Sequence, residues 1–151
     1  MARYSAEFSI AGVNAVDAVL ANLKAAATDR LFLRQAFFGI EVAPTNAPAF
    51  GLKRMNAVGT GTITTASAFL HDGGDGAAAG VLETAWATAR PTVTGGSARR
   101  GWVPLAIGNG FLFDFRDSPL IVPLSGGICL VNRIASGATL GTFGGYVEWD
   151  E

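Results

Sequence analysis

In the segment RYSAEFSI, residues 3–10, every second residue is apolar: Tyr4, Ala6, Phe8 and Ile10 share one face, and Arg3, Ser5, Glu7 and Ser9 the other. Side chains alternate across a strand, so this pattern demands a strand with one buried face, and a helix cannot satisfy it. The period recurs in VLETAWAT (81–88), and in GFLFDF (110–115), where Phe111, Phe113 and Phe115 oppose Leu112 and Asp114. At the end of the chain Phe143, Val147 and Trp149 oppose Tyr146 and Glu148. RLFLRQAFFGIEVA (30–43) is apolar on both faces at its start, as a central strand covered on both sides would be. Further strands are predicted at 49–58, 60–69, 99–107 and 127–134, and at 119–124, where bounding prolines point to a sheet edge. Gly, Pro, Ser and Thr clusters separate them, among them a TGGS turn before 99–107 and a loop over 71–80.

One segment changes period. In NAVDAVLANLKAAAT, Val16, Leu20, Leu23 and Ala27 fall at helical spacing with Val19 beside them. Asn14 can cap the first turn and Asp17 lies three residues on, so the spacing predicts a helix over 14–27. Eight or nine short strands with a single helix disfavour a parallel sheet, which needs alternating helices. The expected fold is an all-β antiparallel jelly-roll sandwich with one short N-terminal helix, built as a single domain over residues 1–151. An immunoglobulin-like sandwich is the alternative, weakened by the helix and by the missing Cys and Trp spacing.

Only 15% of the residues are charged and only two are lysines, Lys24 and Lys53. An ordinary soluble domain carries about 25% charge. A subunit that hides surface against neighbours has less need of it, so the composition points to a chain that works inside an assembly. The aromatic candidates for such an interface are Tyr4, Phe8, Trp102, Phe111, Phe113, Tyr146 and Trp149. The terminal strands, around Arg3–Ile10 and Tyr146–Trp149, are expected to hold the chain ends in order through these contacts. A net charge of −1 supplies no global field toward nucleic acid or an anionic membrane. No apolar run approaches the roughly 18 residues of a membrane span, and the polar-apolar alternation at the start is unlike a signal sequence, so a cytoplasmic site of synthesis is expected. The single cysteine, Cys129, lies in the apolar run GGICLVNRI and reads as a buried structural thiol.

The one histidine, His71, sits beside Asp72 and Asp75 in FLHDGGDGAAAG. A structural zinc site takes about four ligands, mostly Cys or His, and a calcium loop takes several oxygens at fixed offsets. Neither set is present locally, and the glycines are explained as turn residues. No G-x-S-x-G or phosphate-binding loop occurs. Arg99 and Arg100 beside Trp102 could clamp a phosphate or stack a base, but a solvated strand end or a subunit salt bridge is the plainer reading. No catalytic, metal or cofactor residue is expected.

The segments ARYSAEFSI, AVDAVLANLKAAA, TDRLFLRQAFFGIEV, ETAWAT, RRGWVPL and GYVEWDE together resemble small accessory proteins of tailed-phage virions. The resemblance implies a jelly-roll capsid decoration or cement subunit, often trimeric, made in the host cytoplasm and residing in the virion. It implies copies of itself and the major capsid protein, or other virion proteins, as partners, and no enzymatic activity. A trimeric receptor- or glycan-binding head of a tail or fibre is the rival from another class. A cupin-like enzyme would normally need several metal-binding histidines, and this chain has one.

Overall fold

The computed structural model describes all 151 residues as twelve β-strands and no helix. The strands are β1 (Arg3–Ala11), β2 (Val19–Lys24), β3 (Leu31–Val42), β4 (Ala49–Ala57), β5 (Ile63–Ala66), β6 (Phe69–Leu70), β7 (Val81–Trp86), β8 (Thr92–Trp102), β9 (Gly110–Asp114), β10 (Leu120–Val122), β11 (Gly127–Asn132) and β12 (Thr142–Asp150). The first sheet runs β10-β3-β12-β1-β6, with β9 following β10 along the same edge of β3. The second runs β5-β7-β2-β11-β4-β8. Every named pairing is antiparallel.

The predicted helix over 14–27 is absent. Its centre, VLANLK, is β2, buried along its first five residues. A short run that is apolar on both faces satisfies a helix pattern and a doubly covered strand equally well, and here β7 and β11 flank it in the sheet. The supposed capping pair does other work. The Asn14 Oδ1 accepts the Gly137 N–H at 3.1 Å, and Asp17, at φ 61°, turns the chain into β2 while pairing with Lys53 and Arg133. The TGGS segment is not a turn between strands either. It lies inside β8, where the register against β4 jumps from Leu52↔Arg99 to Arg54↔Thr94. Residues 95–98 form the resulting bulge, and Gly95 supplies its positive φ of 71°.

The two sheets close on one apolar core. Tyr4, Phe8 and Ile10 of β1, Leu33, Phe38 and Ile40 of β3, and Phe143, Val147 and Trp149 of β12 project from the first sheet; Leu20, Leu23, Phe50, Leu52, Ile128 and Leu130 project from the second. The Phe38 and Phe50 rings stack at 4.6 Å across the sandwich, with Phe143 edge-on to Phe50 at 5.0 Å. On the outer face of the first sheet the Phe37 ring occupies the space that a side chain at Gly110 would need, and the Glu41 carboxylate does the same at Gly144. These glycines make room for neighbours rather than turns.

Both chain ends are fastened to each other. Ala2 and Glu151 exchange two backbone hydrogen bonds at 3.1 and 3.0 Å, and β1 pairs with β12 along its whole length. The Asp150 carboxylate, nearly inaccessible, receives Arg3 at 2.8 Å and Arg34 at 2.5 Å. Order at the termini therefore has a source inside the chain.

The pairing follows a rule. β1, β2, β3 and β4 pair with β12, β11, β9–β10 and β8, in reverse chain order. The chain is doubled back on itself as a long ribbon and rolled. The β4–β8 ladder ends at Ala57↔Thr92, the Thr60↔Ala89 bridge continues it, and the β5–β7 ladder takes over at Ile63↔Trp86. The tip of the ribbon thus passes from one edge of the second sheet to the other, where β7 covers the edge of β2 and β6 covers part of the edge of β1.

Candidate interaction surface

Rolling the chain this way sorts its polar groups into two flanks and two ends. On one flank, β8 lies against β9 and β10. The Arg99 guanidinium sits 5.5 Å over the Phe115 ring, the Phe111 ring presses on Gly101, and Arg54 donates to the Ile121 carbonyl at 2.5 Å. Arg100 lies 4.3 Å over Trp102, whose side chain is 60% exposed. None of Arg54, Arg99 and Arg100 has a carboxylate within 4.0 Å, while the other arginine here, Arg116, is held by Asp114 at 2.6 Å.

On the opposite flank, β1 faces β5, β6 and β7. β6 pairs with β1 only at Tyr4 and Ser5, so from Glu7 to Ala11 that edge of β1 has no strand beside it. Ser9, Ala11, Thr64, Thr84 and Arg90 line one part of the gap, and Ser5, Glu7, Ser67 and the exposed Phe69 line a trough of about 570 Å³. His71 stands beside it, and Asp72 and Asp75 follow in the loop beyond the start of β1. The His71 Nε2 meets the Ser5 hydroxyl at 3.1 Å, and Asp72 accepts the Gly74 N–H at 3.0 Å in a local turn. No three His, Cys, Asp or Glu side chains converge anywhere in the chain as metal ligands would.

Charge follows the ribbon. Residues 42–71 and 84–113 contain Lys53, Arg54, Arg90, Arg99 and Arg100 and not one of the twelve acids. The rest of the chain carries the other six Lys and Arg and all twelve Asp and Glu, a formal −6. The net −1 is the sum of +5 and −6 from stretches that interleave in the fold, since Lys53 pairs with Asp17 and Arg90 lies in the β1 gap. Composition alone averages this away, but the two acid-free stretches are plain in the sequence.

At one end of the sandwich the loops 12–18, 43–48, 103–109 and 133–141 come together. Gly12 binds Gly141, Thr45 binds Thr139, Asn46 binds Ser136, and Gly108 binds Ile40 through backbone hydrogen bonds. This end exposes Val16, Val42, Leu105, Ile107 and Leu140, each 42–71% accessible.

The seven aromatic interface candidates divide. Tyr4, Phe8, Phe113 and Trp149 are core residues, 0–7% exposed within their own chain, and are corrected as such. Alternation separates two faces of a strand without saying which one the opposite sheet covers. Trp149 stacks on Tyr4 at 5.9 Å, and its Nε1 donates to Glu151. Phe111 is half-buried against Phe113 at 4.9 Å. Tyr146 lies half-buried on the outer face, stacked on Phe37 at 5.9 Å, with its hydroxyl meeting the Gln35 Oε1 at 3.2 Å. Trp102 alone is freely displayed.

Trp86 and Cys129 belong to a small second cluster on the outer face of the second sheet, with Val19, Met55, Val93 and Val131. Within it the buried Glu83 carboxylate accepts from Asn22 at 2.9 Å and from Trp86 at 3.2 Å, and faces Lys24 at 3.4 Å. Burial, with a smaller push from Glu83, raises the Cys129 thiol to about 12, so at neutral pH it is a protonated filler and not a nucleophile. Comparison of the chain with protein-family models, curated sequences and solved structures returns no match.

Proposed function

We propose that this chain is a virion structural protein, a capsid decoration or cement subunit that works by adhesion and not by catalysis. The observation that carries the reading is the apolar loop end. Five aliphatic side chains, four from three of the interlocked loops and Val42 from the end of β3, stand in solvent at one pole of the sandwich, where a free monomer gains nothing from them. Docked on a shell, they become the apolar centre of an interface. A subunit that binds the assembled shell in preference to the loosened one stabilises it by mass action.

The strand order supports a jelly roll over an immunoglobulin-like sandwich. Nested pairing of β1–β4 with β12, β11, β9–β10 and β8 is what rolling a doubled chain produces. A jelly roll is common to shells, lectins and cupins, so it carries no function by itself.

The glycan-binding head remains the second reading because of the Phe69 trough, where an exposed aromatic stands with a carboxylate and two hydroxyls. Trp102, the exposed tryptophan, lies on the other flank. Binding of the purified chain to isolated capsid shells tests the first reading. Ile107→Asp with Leu105→Asp should abolish shell binding and leave the melting temperature unchanged. Undiminished binding by that variant, or glycan binding lost in Phe69→Ala without any shell affinity, would reject it.

A further inference from the structure

We propose that copies of this chain associate head to tail, the β8 flank of one subunit seating on the open β1 flank of the next; this rests on the assembly reading above. Three observations meet here. Arg54, Arg99 and Arg100 on the β8 flank have no carboxylate partner. Glu7 on the opposite flank, and Asp72 and Asp75 in the loop that leaves β6 beyond the start of β1, have no cationic partner. Between them, β8 is an edge strand of the second sheet and Glu7–Ala11 is an uncovered edge of the first.

The occupant of the β1 flank is a second copy because the chain itself carries the complement. A two-fold dimer through either flank would set like charge against like, whereas a heterologous contact sets unlike charges together. A heterologous contact closes into a ring of three or more only where successive subunits are rotated, and between opposite flanks it otherwise runs on as an open row; either outcome disfavours a symmetric dimer. Arg90 lines the far end of the β1 gap, and Arg3 at the start of β1 is held by Asp150. Arg90 donates to the Val19 carbonyl at 2.5 Å, so it is held back toward β2 and away from Glu7. Trp102, exposed beside Arg100, supplies an apolar anchor on the basic side.

The test is sedimentation velocity of the full chain at 50 and 500 mM NaCl, with three variants: R99E/R100E, E7R/D72R/D75R, and all five changes together. All five positions are exposed, and a melting curve for each variant checks folding. If a reversal unfolds the chain, R99Q/R100Q takes its place. The wild type should associate at low salt and weaken by roughly tenfold or more at high salt. Each one-flank variant should be monomeric, and the five-fold variant, with both charges exchanged, should associate again. Association unaffected by salt and by R99E/R100E would overturn the flank assignment while leaving the assembly reading standing. A wild type that stays monomeric at about 100 µM in 50 mM NaCl would overturn it too, and shell binding measured on the same samples then decides the cement reading separately.

Discussion

Replacing Trp149 with Ala tests whether this residue belongs to the core or to an interface. The indole is fully buried, stacked on Tyr4 at 5.9 Å, with its N–H on Glu151 at 2.9 Å. Removing a buried tryptophan costs about 3–5 kcal/mol, as transfer free energy and as the cavity left behind. A domain of this kind has about 5–15 kcal/mol in total, so the loss is a large share of what holds it folded. At about 2–4 °C per kcal/mol for a chain of this length, the melting temperature should fall by roughly 6–20 °C. Thermal unfolding followed by far-ultraviolet circular dichroism, repeated over a dilution series, separates the fold from any association. A midpoint within about 2 °C of the wild type, together with lost association, would refute the core assignment and return Trp149 to an interface. Trp149→Phe keeps an aromatic ring against Tyr4 but loses the N–H and part of the buried indole, so it should recover part of the loss.

Glu151→Gln should loosen the loop 71–80, because the Glu151 carboxylate accepts the Ala79 and Gly80 N–H groups at 2.9 and 2.8 Å; amide exchange at these two positions should quicken on the order of tenfold, with β3 unaffected. Burial alone would raise the pKa of Asp150, but hydrogen bonds from Arg3 and Arg34 outweigh it and hold the carboxyl below its ordinary value. The stability it contributes is present above the unfolded pKa of about 4 and is lost as pH falls through the lower folded value. The difference in urea midpoint between wild type and Asp150→Asn should therefore be full at pH 7 and shrink toward pH 2.5; a constant difference would show that the ion pairs are not its source. Cys129 should resist a thiol reagent at pH 8 in the folded chain and react fully in 6 M guanidinium, since its thiol is buried and titrates at about 12; stoichiometric labelling of the native protein within minutes would contradict this.

Several strands were legible where one face is wet, but β8 was not, because the bulge inside it reads as a turn. β1, β9 and β12 announce themselves by alternation, because solvent on one side forces polar residues into every second position. β2 was not legible, since both of its faces are covered and its short, mostly apolar run carries no clear strand period. The burial of Tyr4, Phe8, Phe113 and Trp149 was hidden for a related reason: a face can be read as apolar, but what closes over it is a long-range property. The pairing of β1 with β12 joins the two ends of the chain, and no local signal encodes it. The loop over 71–80 was readable because its glycines mark turns.

The opposed flanks required the sequence and the fold together. Two acid-free stretches mean little along a chain, since any ribbon might carry unpaired arginines toward solvent. They acquire direction because those stretches are the two arms of the rolled ribbon, and rolling places Arg99 and Arg100 opposite Glu7 across the width of the sandwich. The tip of the same ribbon covers the β2 edge at three paired positions and the β1 edge at only two. Exposed edges invite pairing and are commonly blocked by bulges, charge or a covering strand. β8 carries its bulge at 95–98, leaving the straight stretch Arg99–Trp102 next to the exposed tryptophan. β1 carries a single charge, Glu7, on the stretch the tip leaves open. Charge of one sign on each edge disfavours a symmetric edge-to-edge dimer, and it is what the proposed head-to-tail contact would require.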